Sequence, residues 1–145
     1  MLTVREIMTS EVTSVFVDDT VYRVADMMSE RAISGAPVRD RTGKFVGVVS
    51  QSDLVNPCLH GGVREPSVAD VMTSGVVSVV VDEPARAAAY AMASHDIHRI
   101  FVVDRTGCLV GVVSSLDIVR AVARGERFDR AGAAGLEPDR ADSAA

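Results

Sequence analysis

The chain has 145 residues, which is enough for one ordinary domain or for two small fused repeats. Hydrophobic residues make up 48% of it but aromatic residues only 4%, so valine and alanine must form the core, which favours strands and close helix packing. The formal net charge is −5 and the arginines are scattered among acidic residues, which argues against a nucleic-acid-binding protein.

The sequence contains no apolar run of about 18 residues, so we predict no transmembrane helix and no membrane partner. The first residues do not place an apolar stretch after a cationic one, so we predict no signal peptide. Cys58 and Cys108 are far apart in the chain, which argues against a disulfide framework. We therefore expect a cytoplasmic protein, since cysteines stay reduced in that compartment.

The sequence repeats itself after 64 positions without a gap. Residues 7–10, Ile-Met-Thr-Ser, return as Val-Met-Thr-Ser at residues 71–74. The tetrad Asp-Arg-Thr-Gly ends at Gly43 and again at Gly107, and nearly half of the aligned positions are identical. Agreement along the whole repeat indicates two copies of one structural unit.

The repeat divides the chain into four segments. We predict residues 1–57 as repeat 1, residues 58–65 as a linker, and residues 66–125 as repeat 2. Proline and glycine lie near both ends of the linker, which is typical of a connecting segment or of a frayed extension of the preceding helix. Residues 126–145 have almost no large apolar side chain, so we predict a mostly disordered tail.

Each repeat predicts the order helix, strand, helix, strand, strand, helix. A short lead-in helix begins at a Thr or Ser N-cap, at residues 3–8 and 67–72, and a β-branched strand follows at residues 12–17 and 76–81. The second helix has the i, i+3, i+4, i+7 spacing of an amphipathic helix. Its apolar positions are Val21, Val24, Ala25 and Met28 in repeat 1, and Ala85, Ala88, Ala89 and Met92 in repeat 2.

Two further strands follow in each repeat, joined by a tight hairpin. We predict them at residues 36–38 and 45–49, and at residues 100–103 and 109–113. The glycine that ends the Asp-Arg-Thr-Gly tetrad can take a positive φ, which suits a hairpin with a bulge. A final helix closes each repeat and begins near Ser52 or Ser115.

Each repeat closes on the stretch Gly-Val-Val-Ser-x-x-Asp, which reads as a buried strand that runs into a helix. Asp53 and Asp117 fall in the first helical turn, where a carboxylate can hydrogen-bond two ribose hydroxyls. The alternative is that aspartate is simply favourable near a helix N-terminus. Ser50 and Ser114 end the strands, where a hydroxyl beside free amides can hold a phosphate or can cap the helix.

This pattern resembles a tandem cystathionine-beta-synthase (CBS) domain pair, often called a Bateman module, over about residues 2–124. The specific marks are the Met-Thr opening of each repeat, residues 34–40, residues 98–104 and the two closing stretches. The resemblance implies an α+β fold in which two α/β-type repeats pack sheet to sheet about a pseudo-twofold axis. It also implies a homodimer, and clefts between the repeats that bind an adenosine-containing ligand such as AMP, ADP, ATP or S-adenosylmethionine.

The resemblance assigns ligand-binding positions in both repeats. They are Thr9, Thr13, Ile33, Ser34, Val48, Ser50, Ser52, Asp53, Thr73, Ile97, His98, Arg99, Val112, Ser114 and Asp117. His98 and Arg99 resemble a pair that meets phosphates in the family, and arginine offers a rigid fork to phosphate oxygens. We therefore expect Asp117 to share a half-site for a phosphate-bearing ligand with these two residues. The alternative for Arg99 is a solvated side chain.

We predict no catalytic residue and no metal site, because neither a nucleophile elbow nor a glycine-rich phosphate loop is present. A zinc site is the less favoured alternative, and it would use Cys58, His60, His95 and His98. The predicted function is that of a non-enzymatic regulatory module that senses an adenosyl ligand, needs no other cofactor and relays binding to an unidentified protein partner. A ligand-free dimeric scaffold is the alternative, since Val77 and Leu116 lack hydroxyls that the other repeat has.

Overall fold

The computed structural model describes residues 1–55 and 65–128, and it contains two copies of one six-element unit. The first copy consists of α1 (Val4–Ile7), β1 (Val15–Phe16), α2 (Val21–Arg31), β2 (Gly35–Arg39), β3 (Phe45–Ser50) and α3 (Gln51–Val55). The second consists of α4 (Val68–Val71), β4 (Ser78–Val80), α5 (Ala85–Ser94), β5 (Arg99–Val103), β6 (Leu109–Ser114) and α6 (Ser115–Ala123). The predicted linker and tail fall mainly on residues 56–64 and 129–145, which lie outside the described residues.

Each copy carries a three-stranded sheet, in the orders β1-β2-β3 and β4-β5-β6. The first strand runs parallel to the second, and the second runs antiparallel to the third. Gly43 and Gly107 have φ of 92° and 91° in the hairpins, and the register shifts at the end of β2 and of β5, so the predicted bulged turns are confirmed. The predicted α+β class and element order are confirmed as well.

The strands β1 and β4 begin later than the sequence predicts. β1 pairs with β2 only at Val15 and Phe16, whereas Val12 and Thr13 line a cavity. Starting the predicted strands at residues 12 and 76 was therefore wrong, because these segments contribute to cavity walls instead of pairing in a sheet. The amphipathic helices are confirmed except at Ala25, which is exposed on α2.

The two lead-in helices exchange places. Val4 and Ile7 of α1 are buried in the core of repeat 2, while Val68 of α4 is buried in the core of repeat 1. Backbone bonds fix the exchange: the Val4 amide donates to the Glu83 carbonyl at 2.9 Å, and the Val68 amide donates to Asp19 at 2.9 Å. Each repeat therefore lacks part of its core without the other.

The segment after each exchanged helix pairs with the third strand of the other repeat. Thr73 and Val48 exchange two backbone hydrogen bonds of 2.9 Å, and Thr9 pairs with Val112 in the same way. This approach leaves no room for a side chain on the strand, since a Cβ on Gly47 would lie 2.6 Å from the Thr73 carbonyl oxygen. The glycine of each closing stretch thus serves the contact between repeats.

The hairpins of the two repeats also meet. The Phe45 amide donates to the Gly107 carbonyl at 3.0 Å, and the Leu109 amide donates to the Gly43 carbonyl at 3.1 Å. The rings of Phe45 on β3 and Phe101 on β5 pack with their centroids 5.4 Å apart. The two sheets are therefore joined both through backbone bonds and through an aromatic pair.

Ala32 ends α2 in the left-handed region, at φ 53° and ψ 43°. An L-residue pays a steric penalty there that glycine does not, so we expect Ala32→Gly to raise the free energy of unfolding by about 1 kcal/mol. Ala25→Gly is the matched control, because an exposed glycine inside the same helix should lower that free energy by about 1 kcal/mol. Urea unfolding measures both, and a loss of stability in Ala32→Gly would contradict the expectation.

The hairpin carboxylates should make stability depend on acid pH. The Thr42 hydroxyl lowers the pKa of Asp40, and the Thr106 hydroxyl followed by the Cys108 amide lowers the pKa of Asp104. A pKa lowered by folding contributes stability above the unfolded pKa, and this contribution is lost as pH falls through the folded value. We expect urea midpoints to be level from pH 7 to about pH 5 and to fall below about pH 4.

Asp104→Asn checks the assignment of this acid dependence, because asparagine keeps an oxygen for the turn but does not titrate. We expect a shallower fall of the urea midpoint below about pH 4 than in the unchanged chain. If the urea midpoint falls equally in both proteins, Asp104 does not contribute to the acid dependence of stability.

Candidate ligand-binding clefts

Two cavities lie between the repeats, and both repeats contribute to each of them. The first, which we name the Asp53 cleft, has a volume of about 830 Å³. The second, the Asp117 cleft, has a volume of about 480 Å³. Both fall within the range of about 300–1,000 Å³ that small-molecule sites occupy.

The structure distributes the predicted site residues over the two clefts. The Asp53 cleft is lined by Ser34, Val48, Ser50, Asp53, Thr73, Ile97, His98 and Arg99. The Asp117 cleft is lined by Thr9, Thr13, Ile33, Ser34, Arg99, Val112, Ser114 and Asp117. Ser52 is the exception, because its hydroxyl lies 2.9 Å from Ser50 Oγ and it lines neither cavity.

We expected Asp117 and His98 in one half-site, but the structure places them in different clefts. His98 lines the cleft of Asp53, while Asp117 faces the segment around Ile33 and Ser34 of repeat 1. The reason is that the closing stretch of one repeat lies against the helix–strand junction of the other. Arg99 agrees with the expectation in part, since it lines both clefts.

Both aspartates lie in the first turn of a helix and cap its N-terminus. Asp53 Oδ2 accepts hydrogen bonds from the Ser50 amide at 2.8 Å and the Ser50 hydroxyl at 3.1 Å. Asp117 Oδ2 accepts the same pair from Ser114, at 2.8 and 3.0 Å. Both carboxylates therefore lie near a helix N-terminus and accept capping hydrogen bonds through one oxygen. In residues 1–55 and 65–128, Oδ1 of neither carboxylate takes part in a hydrogen bond, so it can accept from a ligand hydroxyl.

The Asp53 cleft combines an apolar wall with basic side chains. Val76 and Val77 form part of the wall, next to the Thr73–Val48 backbone pair. Exposed His98 and Arg99 lie at the junction of α5 and β5. Such a cavity suits a ligand with a flat apolar base, a hydroxylated sugar and an anionic group.

The Asp117 cleft is more polar. Glu11 and Arg120 line it, and Thr13 is already engaged because its hydroxyl accepts a hydrogen bond from Arg31 Nη1 at 3.2 Å. Glu11 brings an acidic group that an anionic ligand would have to avoid. The two clefts are therefore chemically unequal, as the differences between the repeats predict.

Sequence reasoning missed several lining residues. Phe101 lines both clefts although its place in a buried strand suggested only a core role. Arg120 and Glu11 reach the Asp117 cleft, and Asp96 reaches the Asp53 cleft. No local pattern marks these residues, because their place depends on how the repeats pack.

Within the described part of the chain, no group of three or more His, Cys, Asp or Glu side chains is arranged to hold a metal ion. Cys58 and His60 of the zinc alternative lie outside that part, and His95 Nδ1 lies 3.0 Å from the Ala91 carbonyl oxygen. None of the described helices has the length and apolar character needed to cross a membrane.

The fold, with two repeats and paired clefts between them, defines a class of tandem-repeat modules. The CBS domain family model matches residues 4–59 and 68–124, so the chain belongs to the CBS domain family. The predicted family and its two repeats are thereby confirmed.

Relatives and solved structures agree with this assignment. The YlbB protein of Bacillus subtilis is 32% identical over 132 residues, which cover 88% of this chain and 86% of that protein. A crystal structure of CBSX2 in complex with AMP matches with a TM-score of 0.74 and 26% identity, over 88% of this chain and all of that one. The CBS domain pair of protein MJ0100, in complex with 5'-methylthioadenosine and S-adenosyl-L-methionine, matches with a TM-score of 0.66 and 25% identity. The match covers 83% of this chain and 98% of that one.

Other matches are to much longer proteins. The homoserine O-acetyltransferase of Methanococcoides burtonii is 30% identical over 119 residues, which cover 82% of this chain but 24% of that protein. The chain thus spans about a quarter of the length of this relative.

Proposed function

We propose that the chain is a regulatory module that binds an adenosine-containing nucleotide between its repeats and passes the change to a protein partner. The observation that carries the proposal is the Asp53 cleft. There a carboxylate with an uncommitted oxygen lies in the same cavity as His98 and Arg99 of the other repeat. Asp53 accepts hydrogen bonds from the ribose hydroxyls, and the two basic residues bind the phosphate.

The similarity to CBSX2 and to the MJ0100 domain pair supports an adenosyl ligand, since those proteins were crystallised with AMP and with S-adenosyl-L-methionine. A ligand that touches both repeats binds more tightly to the arrangement that brings their walls together. Binding therefore shifts the population of repeat arrangements, and a partner can respond to that shift. The proposal gives the chain a sensing role without a reaction of its own.

Isothermal titration with AMP, ADP, ATP, S-adenosylmethionine and adenosine tests the proposal on the full chain. We expect at least one nucleotide to bind at micromolar to millimolar concentration and to raise the melting temperature. The absence of heat and of any thermal shift with all five, at millimolar concentration, would favour the ligand-free scaffold instead.

The proposal includes a homodimer that forms through the outer face of α5 and α6. These helices pack side by side, and Tyr90, Leu116, Val119 and Val122 on them are 60, 52, 58 and 61% exposed. Exposed apolar side chains in such number mark an association surface. A second copy of this chain has the same apolar surface, so two copies related by a twofold axis can cover each other's surface.

Val119→Glu should break this dimer, because each copy would bury a carboxylate in an apolar contact. We expect the dimer dissociation constant to rise about a hundredfold or more. Ala69→Glu adds the same charge at an exposed position of α4 and serves as the control. Light scattering after size exclusion measures both, and an unchanged mass for Val119→Glu would place the interface elsewhere.

A further inference from the structure

The two clefts share one wall. Ser34, Gly35, Arg99 and Phe101 line both cavities, so the Asp53 cleft and the Asp117 cleft meet at the starts of β2 and β5. In the strand ladders Gly35 is opposite Ser50 and Arg99 is opposite Ser114. The shared wall therefore lies beside the closing serine of each repeat.

The shared wall is asymmetric in charge. Gly35 and Arg99 occupy equivalent positions of the two repeats, 64 residues apart, yet only the second has a side chain. Among the described residues, Arg99 is the one basic side chain that lines both clefts, since His95 and His98 line only the first of them and Arg120 only the second. A pseudo-symmetric pair of cavities is thus served by a single common guanidinium.

This guanidinium is available to a ligand. Arg99 is exposed, and among residues 1–55 and 65–128 it has no ion pair or hydrogen bond through its side chain. An arginine stays charged at every physiological pH and binds phosphate oxygens through a planar fork. When the Arg99 guanidinium binds a phosphate in one cleft, it no longer neutralises a phosphate in the other cleft. The bound phosphate then also repels a second phosphate there.

We propose that Arg99 makes the two clefts antagonistic towards phosphate-bearing ligands. Occupation of one cleft by a nucleotide weakens nucleotide binding in the other, whereas nucleosides without a phosphate bind the two clefts independently. The inference rests on the proposed nucleotide binding and adds its regulation. Because coupling between sites is reciprocal, the effect is the same whichever cleft fills first.

Calorimetric titration of the full chain with AMP and with adenosine tests the antagonism. Asp53→Asn and Asp117→Asn each disable one cleft and keep an oxygen for the helix cap. We expect each variant to bind one AMP, and to bind it at least about tenfold more tightly than the second AMP binds to the unchanged chain. For adenosine, we expect the variants and the second site of the unchanged chain to have equal affinities. Adding Arg99→Gln to these proteins should remove the difference in affinity for AMP.

The outcomes separate this inference from the proposed function. If AMP binds both clefts with affinities that do not depend on the state of the other, the antagonism is wrong and the sensing role stands. If only one of the two aspartate variants binds AMP, a single cleft is functional and the antagonism is also wrong. If AMP binds to none of the proteins, the antagonism is wrong, and the titrations with ADP, ATP and S-adenosylmethionine decide the proposed function.

Discussion

Asp53→Asn is expected to weaken AMP binding in the Asp53 cleft about thirtyfold. The substitution removes the negative charge from a group that we expect to accept hydrogen bonds from two ribose hydroxyls. Hydrogen bonds to a charged group contribute about 1.5–3 kcal/mol, and 2 kcal/mol corresponds to about thirtyfold in affinity. Calorimetric titration measures the dissociation constant directly, and the variant Asp117→Asn reports the second cleft in the same way.

Asp70→Asn is a close control for this measurement. Asp70 Oδ2 accepts the Ser67 amide at 2.9 Å and the Ser67 hydroxyl at 3.2 Å, so it caps α4 with the geometry that Asp53 has on α3. Asp70 lines neither cleft. We expect its replacement to change stability as Asp53→Asn does and to leave AMP binding unchanged. Equal loss of binding in both variants would mean that capping, not ribose contact, explains the effect.

Gly47→Ala is expected to lower the free energy of unfolding by about 3 kcal/mol. Its new methyl group would lie 2.6 Å from the Thr73 carbonyl oxygen and 3.0 Å from Met72 Sδ. The backbone of residue 73 must then move away, which costs about 1–3 kcal/mol for overpacking and about 1 kcal/mol for each weakened hydrogen bond. For a chain of this size the melting temperature should fall by about 10 °C.

Gly111→Ala provides the internal comparison. Its closest neighbour is Met8 Sδ at 2.6 Å, and the Thr9 carbonyl oxygen lies at 2.9 Å. A methionine side chain can rotate away more easily than backbone can, so the loss of stability should be smaller than for Gly47→Ala. Ser74→Ala, at an exposed position next to the Thr73–Val48 pair, should leave the melting temperature unchanged. A Gly47→Ala protein as stable as the parent would show that the cross-repeat pairing is not tight.

The consequences of Gly47→Ala reach the ligand site. The Thr73–Val48 pair that it displaces lines the Asp53 cleft, so binding of AMP should weaken even where the variant is still folded. Neither Thr73 nor Val48 lines the Asp117 cleft, so we expect a smaller effect there. Calorimetric titration well below the melting temperature separates this loss from unfolding.

The sequence by itself determined what local physics controls. The order of elements, the capping residues and the hairpin glycines depend on neighbours within a few residues, and the structure agrees with them. The repeat of 64 positions is visible in the sequence directly. Asp53 and Asp117 of the closing stretches line the two clefts. Their binding of a ribose stays a prediction.

Only the tertiary structure decided which copy of each motif meets which. The repeats are nearly alike, so a local pattern cannot say whether α1 packs on its own sheet or on the other one. Long-range packing settles this, because the core of repeat 2 is completed by Val4 and Ile7 from the start of the chain. The packing of the repeats also places His98 in the same cleft as Asp53 and Arg99 in both clefts, which no spacing within either repeat predicts.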